Sequence, residues 1–125
     1  MLYIEDTDAN VRLMHRLLAQ RPGVHLLHAA DGASGLRLFS EHVPPLVVLD
    51  LHLPDMSGEE ILRRIRGQTQ YRQPHVAVLT ADVSPSQRQR LMAAGADAYL
   101  TKPLSVPDVL ALLDRTLQSH VTTPS

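Results

Sequence analysis

The sequence predicts a single α/β domain in which a parallel, five-stranded sheet is covered by helices on both faces. Short apolar runs alternate five times with longer segments of helical periodicity. The connections are short, which favours parallel strands joined by right-handed helical crossovers. One run, residues 46–49, is aliphatic without interruption, as is typical of a central strand buried on both faces. A chain of 125 residues is long enough for one such domain with its own core.

Residues that start or stop regular structure separate the predicted elements in the first half of the chain. The first helix ends before Pro22 and Gly23, because proline cannot continue a helix. The pair Asp31 and Gly32 is a turn signal between the second strand and the second helix. The third strand is the aliphatic run over residues 46–49.

Similar signals separate the elements of the second half. Pro54 breaks the chain before the third helix, and Gly95 ends the fourth helix. Ser84 and Pro85 are typical N-cap and first-turn residues of that fourth helix. The predicted strands cover residues 2–4, 24–29, 46–49, 75–80 and 98–100. The predicted helices cover residues 9–20, 33–42 and 59–66, the stretch between Ser84 and Gly95, and residues 106–117.

The composition excludes several classes of protein. The chain has no cysteine, which excludes disulfides, thiolate chemistry and cysteine zinc sites. With a formal net charge of -1, the protein has no overall positive field that would attract nucleic acid, so we expect no direct nucleic-acid binding. No apolar run approaches the roughly 20 residues of a membrane-spanning helix, so we expect no membrane insertion and a cytoplasmic location. The seven histidines are scattered, without a metal-binding motif.

Polar residues stand where the predicted strands end. Glu5 and Asp6 follow the first strand, Asp50 ends the third, Thr80 ends the fourth, and Lys102 follows the fifth. In open parallel sheets, ligands bind outside the carboxyl ends of the strands, so these side chains should meet at one edge. Three carboxylates without nitrogen or sulfur donors favour Mg²⁺ or Mn²⁺. A carboxylate held beside such a cation and an ammonium group can accept a phosphoryl group.

Lys102 is also the only lysine in the sequence, since the other eleven basic residues are arginines. An ammonium group is a compact point charge, whereas the arginine guanidinium is a wide planar fork. This contrast favours a dedicated role for Lys102 at the predicted site.

Four segments resemble the receiver domain of two-component response regulators, and the resemblance covers residues 2–117. These segments are residues 3–6, 47–58, 78–82 and 97–103. The resemblance implies a flavodoxin-like three-layer sandwich, in which the five-stranded parallel sheet has the order 2-1-3-4-5 and is packed by five helices. It also implies a receiver domain over residues 1–119, followed by a polar tail over residues 120–125.

The resemblance assigns chemical roles to the residues at the strand ends. It implies that Asp50 is the phosphoacceptor, which takes the phosphoryl group from a phosphohistidine of a histidine kinase or a histidine phosphotransfer protein. Asp6 and Asp50 would bind Mg²⁺ directly, Glu5 would bind it through water, and the backbone carbonyl of His52 would be another ligand. Lys102 would pair first with Asp50 and then with a phosphoryl oxygen.

The resemblance further implies a conformational switch. Thr80 would move to hydrogen-bond the phosphoryl group, and Tyr99 would then turn inward. This movement would remodel the surface formed by the fourth helix, the fifth strand and the fifth helix, through which the domain could form a homodimer. The peptide bond between Lys102 and Pro103 is expected to be cis.

His52 departs from the usual pattern and has two interpretations. Its side chain should overhang the mouth of the site, two residues beyond Asp50, and Asp82 should lie across from it. One interpretation is a solvated loop histidine. The alternative hypothesis is that His52 and Asp82 control the access of water to the acyl phosphate and so modulate its lifetime.

The first predicted helix has an apolar face that is wider than burial of one side requires. Its apolar residues span an arc of about 160°, whereas one buried face needs about 100°. One interpretation is a deeply buried helix. The other is that Leu13 and Leu17 form part of a docking groove for helices of the phosphodonor.

A second class of function competes with the receiver. Metal-dependent phosphohydrolases also form an aspartyl phosphate, but they usually carry a second aspartate two residues later, where this chain has His52. The domain by itself is therefore predicted to be a switch that catalyses only its own phosphorylation and hydrolysis. The parent protein could be a stand-alone regulator, an output-bearing regulator or a hybrid histidine kinase, and the opening over residues 2–6 favours the last.

Overall fold

A computed structural model describes residues 1–81 and 84–121, with side chains described up to residue 117. Within these residues, five strands alternate with five helices. The strands are β1 (Leu2–Ile4), β2 (Leu27–Ala29), β3 (Leu46–Asp50), β4 (His75–Thr80) and β5 (Ala98–Thr101). The helices are α1 (Asp8–Leu18), α2 (Gly32–His42), α3 (Gly58–Gly67), α4 (Pro85–Ala93) and α5 (Val106–Val121).

The strands form one parallel sheet in the order β2-β1-β3-β4-β5. This arrangement confirms the predicted three-layer fold and strand order. The register pairs Tyr3 of β1 with Val48 of β3, and Asp50 of β3 with Leu79 of β4. The carboxyl ends of β1, β3 and β4 therefore lie side by side.

The core consists of two apolar layers, one on each face of the sheet. On one face, Phe39 of α2, Ile61 of α3 and Leu91 of α4 pack against β1, β3 and β4. On the other face, Met14 of α1 and Leu112 of α5 pack against alternate residues of the same strands. All five residues of β3 are buried, as expected of a central strand.

Helix boundaries follow the predicted capping chemistry. The Ser84 hydroxyl accepts a hydrogen bond from the Gln87 backbone N–H, and Pro85 occupies the first turn of α4. Gly95, with φ of 115°, follows the end of the same helix in a conformation that side chains disfavour. The predicted start and end of α4 are thus confirmed.

Strand β2 is shorter than predicted, because it begins at Leu27 instead of residue 24. The ladder with its partner β1 begins at the pair Leu2 and Leu27, and before this pair the Met1 amino group bonds to the segment at the His25 carbonyl oxygen. The Val24 N–H instead bonds to the carbonyl oxygen of Arg21 in a turn.

Helices α1 and α5 also differ from prediction at their ends. Helix α1 ends at Leu18, two residues before the predicted end, and a turn follows it. Helix α5 extends to Val121, beyond the predicted end at residue 117, and residues 122–125 of the expected tail lie outside the described residues. Within the described chain, every helix is too short or too polar to cross a bilayer.

Candidate phosphoacceptor site

Three carboxylates meet at the carboxyl edge of the sheet. Oxygen atoms of Glu5, Asp6 and Asp50 all lie within 4.8 Å of one another. Glu5 and Asp50 are buried, at 0% and 1% exposure, whereas Asp6 is exposed. The first two are brought together because the register aligns β1 with β3. We call these three residues the acidic cluster.

Asp50 has a positively charged partner. The Lys102 Nζ lies 3.1 Å from Asp50 Oδ2, and the His52 backbone N–H donates to Asp50 Oδ1 at 3.1 Å. The Asp50 side chain is 2% exposed, and Lys102 covers it with a side chain that is 28% exposed. The Lys102–Pro103 peptide bond is cis, as expected. A nucleophilic oxygen, an ammonium group and a backbone donor thus share one small site.

Glu5 is held within the acidic cluster by two donors. The Tyr3 hydroxyl donates to Glu5 Oε1 at 3.0 Å, and the Thr7 backbone N–H donates to Oε2 at 3.2 Å. Burial raises the pKa of Glu5, and the neighbouring Asp50 carboxylate raises it further, while Tyr3 and Thr7 act in the opposite direction.

The donor set of the acidic cluster fits a hard divalent cation. Every side-chain ligand is a carboxylate oxygen, which suits Mg²⁺ or Mn²⁺. The raised pKa of Glu5 reflects the cost of holding it buried beside Asp50, and a bound cation would remove that cost. Glu5, Asp6 and Asp50 are therefore the residues that could hold the metal.

Thr80 and Tyr99 lie on the other side of Asp50, on β4 and β5. Thr80 ends β4, is fully buried and pairs in register with Thr101. Tyr99 is partly exposed and packs against the core layer that contains Val78. The Arg88 guanidinium of α4 lies 5.7 Å from the centre of the Tyr99 ring, within the range of a cation–π interaction.

The described residues include His52 but not Asp82. The His52 side chain is exposed, and its backbone forms a bridge with Ser57 in the loop before α3. Asp82 lies outside the described residues, so the expected pairing of these two side chains across the mouth of the site stays a prediction.

The docking assignment of Leu17 requires correction. Leu17 is 2% exposed and packs in the core layer between α1, α5 and the sheet, so its side chain cannot contact a partner in this conformation. The prediction assumed an exposed edge on the wide apolar face, but α5 covers that part of α1. Leu13 is partly exposed and remains a candidate for docking.

Three residues with clear contacts were not identified as site residues in the sequence. Tyr3 contacts Glu5, and Asp55 accepts hydrogen bonds from the backbone N–H groups of Gly32 and Ala33, at 2.7 and 3.0 Å. Gly58 begins α3 directly against the backbone of β3. The alternation of side chains along β1 was a signal for Tyr3, because residues 3 and 5 share one face of a strand.

Comparison with known proteins identifies the family. Residues 1–114 match the family model described as the response regulator receiver domain. The chain is 39% identical over 113 residues to the transcriptional regulatory protein KdpE of Mycobacterium tuberculosis, covering 90% of this chain and 48% of KdpE. It is 30% identical over 107 residues to the polar-differentiation response regulator DivK of Brucella anthropi, covering 86% of each chain.

A solved structure shows the same fold with a metal. The receiver domain of the sensor histidine kinase PA1611 from Pseudomonas aeruginosa, described with a magnesium ion coordinated in its active-site cleft, has a TM-score of 0.81 and 26% identity. The match covers 94% of this chain and 95% of that domain. The present chain spans about half the length of KdpE. The chain belongs to the receiver domain family of two-component response regulators.

Proposed function

We propose that Asp50 accepts a phosphoryl group from a phosphohistidine of a histidine kinase or histidine phosphotransfer protein. The observation that carries this proposal is the position of the Asp50 carboxylate between the Lys102 ammonium and the rest of the acidic cluster. With such partners, the domain works in the cytoplasm as a signalling switch.

The chemistry follows from the charges around Asp50. A carboxylate oxygen of Asp50 attacks phosphorus, the bond from phosphorus to the donor imidazole nitrogen breaks, and the imidazole keeps the electron pair. The Lys102 ammonium, 3.1 Å from Asp50 Oδ2, can follow the transferred group and stabilise its equatorial oxygens. When bound, Mg²⁺ supplies positive charge that offsets the repulsion between the phosphoryl group and the acidic cluster.

The residues of the acidic cluster have different proposed roles in binding this cation. Asp6 and Asp50 are the proposed direct ligands, together with the His52 backbone carbonyl, and Glu5 acts through water. The magnesium coordinated in the PA1611 receiver domain supports the choice of metal.

Phosphorylation is proposed to act on α4, β5 and α5 through Thr80 and Tyr99. Thr80 ends the strand next to β3, which places it beside the phosphoacceptor strand. Tyr99 of β5 pairs in register with Val78 of β4. Its ring lies under the Arg88 guanidinium, so an inward turn of the ring would break that contact. The change would reach the surface formed by α4, β5 and α5, the proposed dimer surface.

Two other positions complete the proposal. Leu13, a partly exposed residue of α1, contacts helices of the phosphodonor. His52, exposed two residues beyond Asp50, modulates the access of water to the acyl phosphate together with Asp82. Replacing His52 or Asp82 by alanine should change the rate of dephosphorylation, and unchanged rates would contradict this role.

The central test is phosphorylation with acetyl phosphate and Mg²⁺, followed by intact mass spectrometry. The wild-type protein should gain one phosphoryl group, whereas Asp50→Asn and wild-type protein with excess EDTA should gain none. Asp55→Asn is the matched control, because it removes a nearby carboxylate outside the acidic cluster and should still be phosphorylated. An adduct of equal yield on Asp50→Asn, or none on the wild type, would contradict the proposal.

The same preparation separates a receiver from a phosphohydrolase. A receiver should show no multiple turnover of small phosphomonoesters with Mg²⁺, since His52 stands where the phosphohydrolases carry their second aspartate. Sustained turnover that is lost in Asp50→Asn would instead support the enzyme.

A further inference from the structure

Tyr3 is a buried tyrosine directly beneath the acidic cluster. It lies in the middle of β1, is fully buried, and packs among the apolar residues between the sheet, α1 and α5. Its hydroxyl donates to Glu5 Oε1 at 3.0 Å. Because residues two apart in a strand point to the same face, the phenol and the Glu5 carboxyl are stacked along β1. An apolar residue would fill the same space without supplying this donor.

The hydrogen bond from Tyr3 is one of two that orient the Glu5 carboxylate. The Thr7 backbone N–H takes the other oxygen, and the Glu5 backbone N–H is fixed by the carbonyl oxygen of Ala29 at 2.9 Å. Glutamate has one more rotatable bond than aspartate, so it loses more conformational freedom when it is ordered at a site. Both carboxylate oxygens of Glu5 are therefore held in place by donors before any ligand arrives.

The Tyr3 hydroxyl is suited to remain a donor. A tyrosine hydroxyl is neutral near pH 7 and has one hydrogen to donate. A hydrogen bond from a neutral hydroxyl to a carboxylate is charge-assisted, and it is stronger than a bond between two neutral groups. If Glu5 turned away, the buried hydroxyl would be left unpaired, at a cost that opposes the rotation.

We propose that Tyr3 is a positioning residue for the metal: its hydroxyl holds the Glu5 carboxylate in the orientation from which Glu5 would reach the divalent cation through water, beside the ligands Asp6 and Asp50. Groups that orient a metal ligand in this way set metal affinity although they do not touch the metal. The inference rests on the proposed function, because it assumes that the acidic cluster binds Mg²⁺.

The test is the Mg²⁺ affinity of Tyr3→Phe, measured by titration calorimetry without any phosphodonor. Removal of the hydroxyl should weaken Mg²⁺ binding by about 3-fold, less than the loss of about 10-fold or more seen when a partner of a direct metal ligand is removed, because Glu5 acts through water. Tyr71→Phe is the matched control, because Tyr71 packs edge-to-face on Phe39, with ring centres 5.9 Å apart, away from the acidic cluster. Its Mg²⁺ affinity should equal that of the wild type.

A double-mutant cycle with Glu5→Gln distinguishes positioning from a general structural effect. If Tyr3 acts through the Glu5 carboxylate, Tyr3→Phe should cause no further loss of Mg²⁺ affinity in the Glu5→Gln background. A loss of equal size in both backgrounds would overturn the inference. Thermal melts by circular dichroism establish that each variant is folded before titration.

The remaining outcomes separate this inference from the proposed function. If the wild type binds Mg²⁺ and Tyr3→Phe binds it equally well or more tightly, the role of Tyr3 is wrong and the proposed function stands. If the wild type binds no Mg²⁺, both fail. If Tyr3→Phe does not fold, Glu5→Asp replaces it, since the shorter side chain keeps the charge and cannot reach the hydroxyl in the same way. Wild-type affinity in Glu5→Asp would overturn the inference.

Discussion

Two parts of the domain that flank the candidate site are built differently. The inner part, which we define as β1, β3 and α3, is deeply buried: every residue of β1 and β3 is buried, and α3 buries four residues. The outer part, defined as α4 and β5, is not. Within the described residues, α4 buries Leu91 alone, and β5 has three partly exposed residues and one exposed residue.

Strand β5 is held by its ladder with β4, whereas two of the contacts that hold α4 are polar and lie near the surface. Arg90 of α4 pairs with Glu59 of α3 at 3.0 Å, and Arg88 lies over Tyr99. Segments with few buried apolar contacts open at lower free energy than core strands. We therefore expect β3, which carries the proposed phosphoacceptor, to open at a higher free energy than α4, which belongs to the surface that we propose to respond.

Gly58→Ala is the substitution that we expect to destabilise the inner part most. A Cβ at this position would lie 2.7 Å from the Leu51 Cα and 2.8 Å from the Asp50 carbonyl oxygen, so backbone must shift. We expect a loss of about 2 to 3 kcal/mol in the free energy of unfolding, measured by urea denaturation. Gly67→Ala, at the other end of α3, is the control, because no described atom lies within 4 Å of its Cβ. Equal destabilisation by both variants would contradict the steric argument.

Hydrogen exchange tests the contrast between the two parts directly. Backbone amides of α4 should exchange through local opening, at least about 30-fold faster than those of β3 after correction for intrinsic rates, which corresponds to about 2 kcal/mol. Mass spectrometry of peptides from the two segments provides the measurement. Equal protection of α4 and β3 would show that the outer part is not the weaker one.

The ion pair between Arg90 and Glu59 should couple the two parts weakly. Both groups lie near the surface, so a double-mutant cycle with Arg90→Gln and Glu59→Gln should give about 0.5 kcal/mol. The single variants should also speed amide exchange in α4 while leaving β3 unchanged. Coupling near zero together with unchanged exchange would show that this ion pair does not hold α4 on α3.

The smallest expected effect concerns Asp55, which connects the loop after β3 to the first turn of α2. Hydrogen bonds from Gly32 and Ala33 lower its pKa below the usual 3.8. A folded-state pKa that is lowered adds stability above the unfolded value, and this stability is lost as pH falls through the folded value. The stability difference between the wild type and Asp55→Asn should therefore shrink below about pH 4. A difference that is constant with pH, measured by urea denaturation, would exclude this linkage.

Much of the fold was predictable because it depends on local pattern. The continuous aliphatic run of β3, the turn signals and the Ser84–Pro85 start of α4 each report on the residues that carry them. Element ends were less predictable: β2 begins at Leu27 because its ladder depends on where β1 begins, which the sequence of β2 does not contain.

The site was predictable to the same extent. The strand-end rule identified Glu5, Asp6, Asp50 and Lys102 as neighbours, and the distances among them agree. Leu17 was assigned to docking because helical periodicity shows that a residue is on an apolar face, but not how far a neighbouring helix extends over that face.

The sequence alone thus determined the order of the helices and strands, because side-chain periodicity and capping residues are local signals. It also determined which polar residues stand at the carboxyl ends of the strands. The partners of individual side chains were decided by tertiary structure. The register of β1 against β3 sets Glu5 beside Asp50, and the packing of α5 buries Leu17 and encloses Tyr3 beneath Glu5. Register and helix docking arise from contacts between distant segments, and no local pattern contains them.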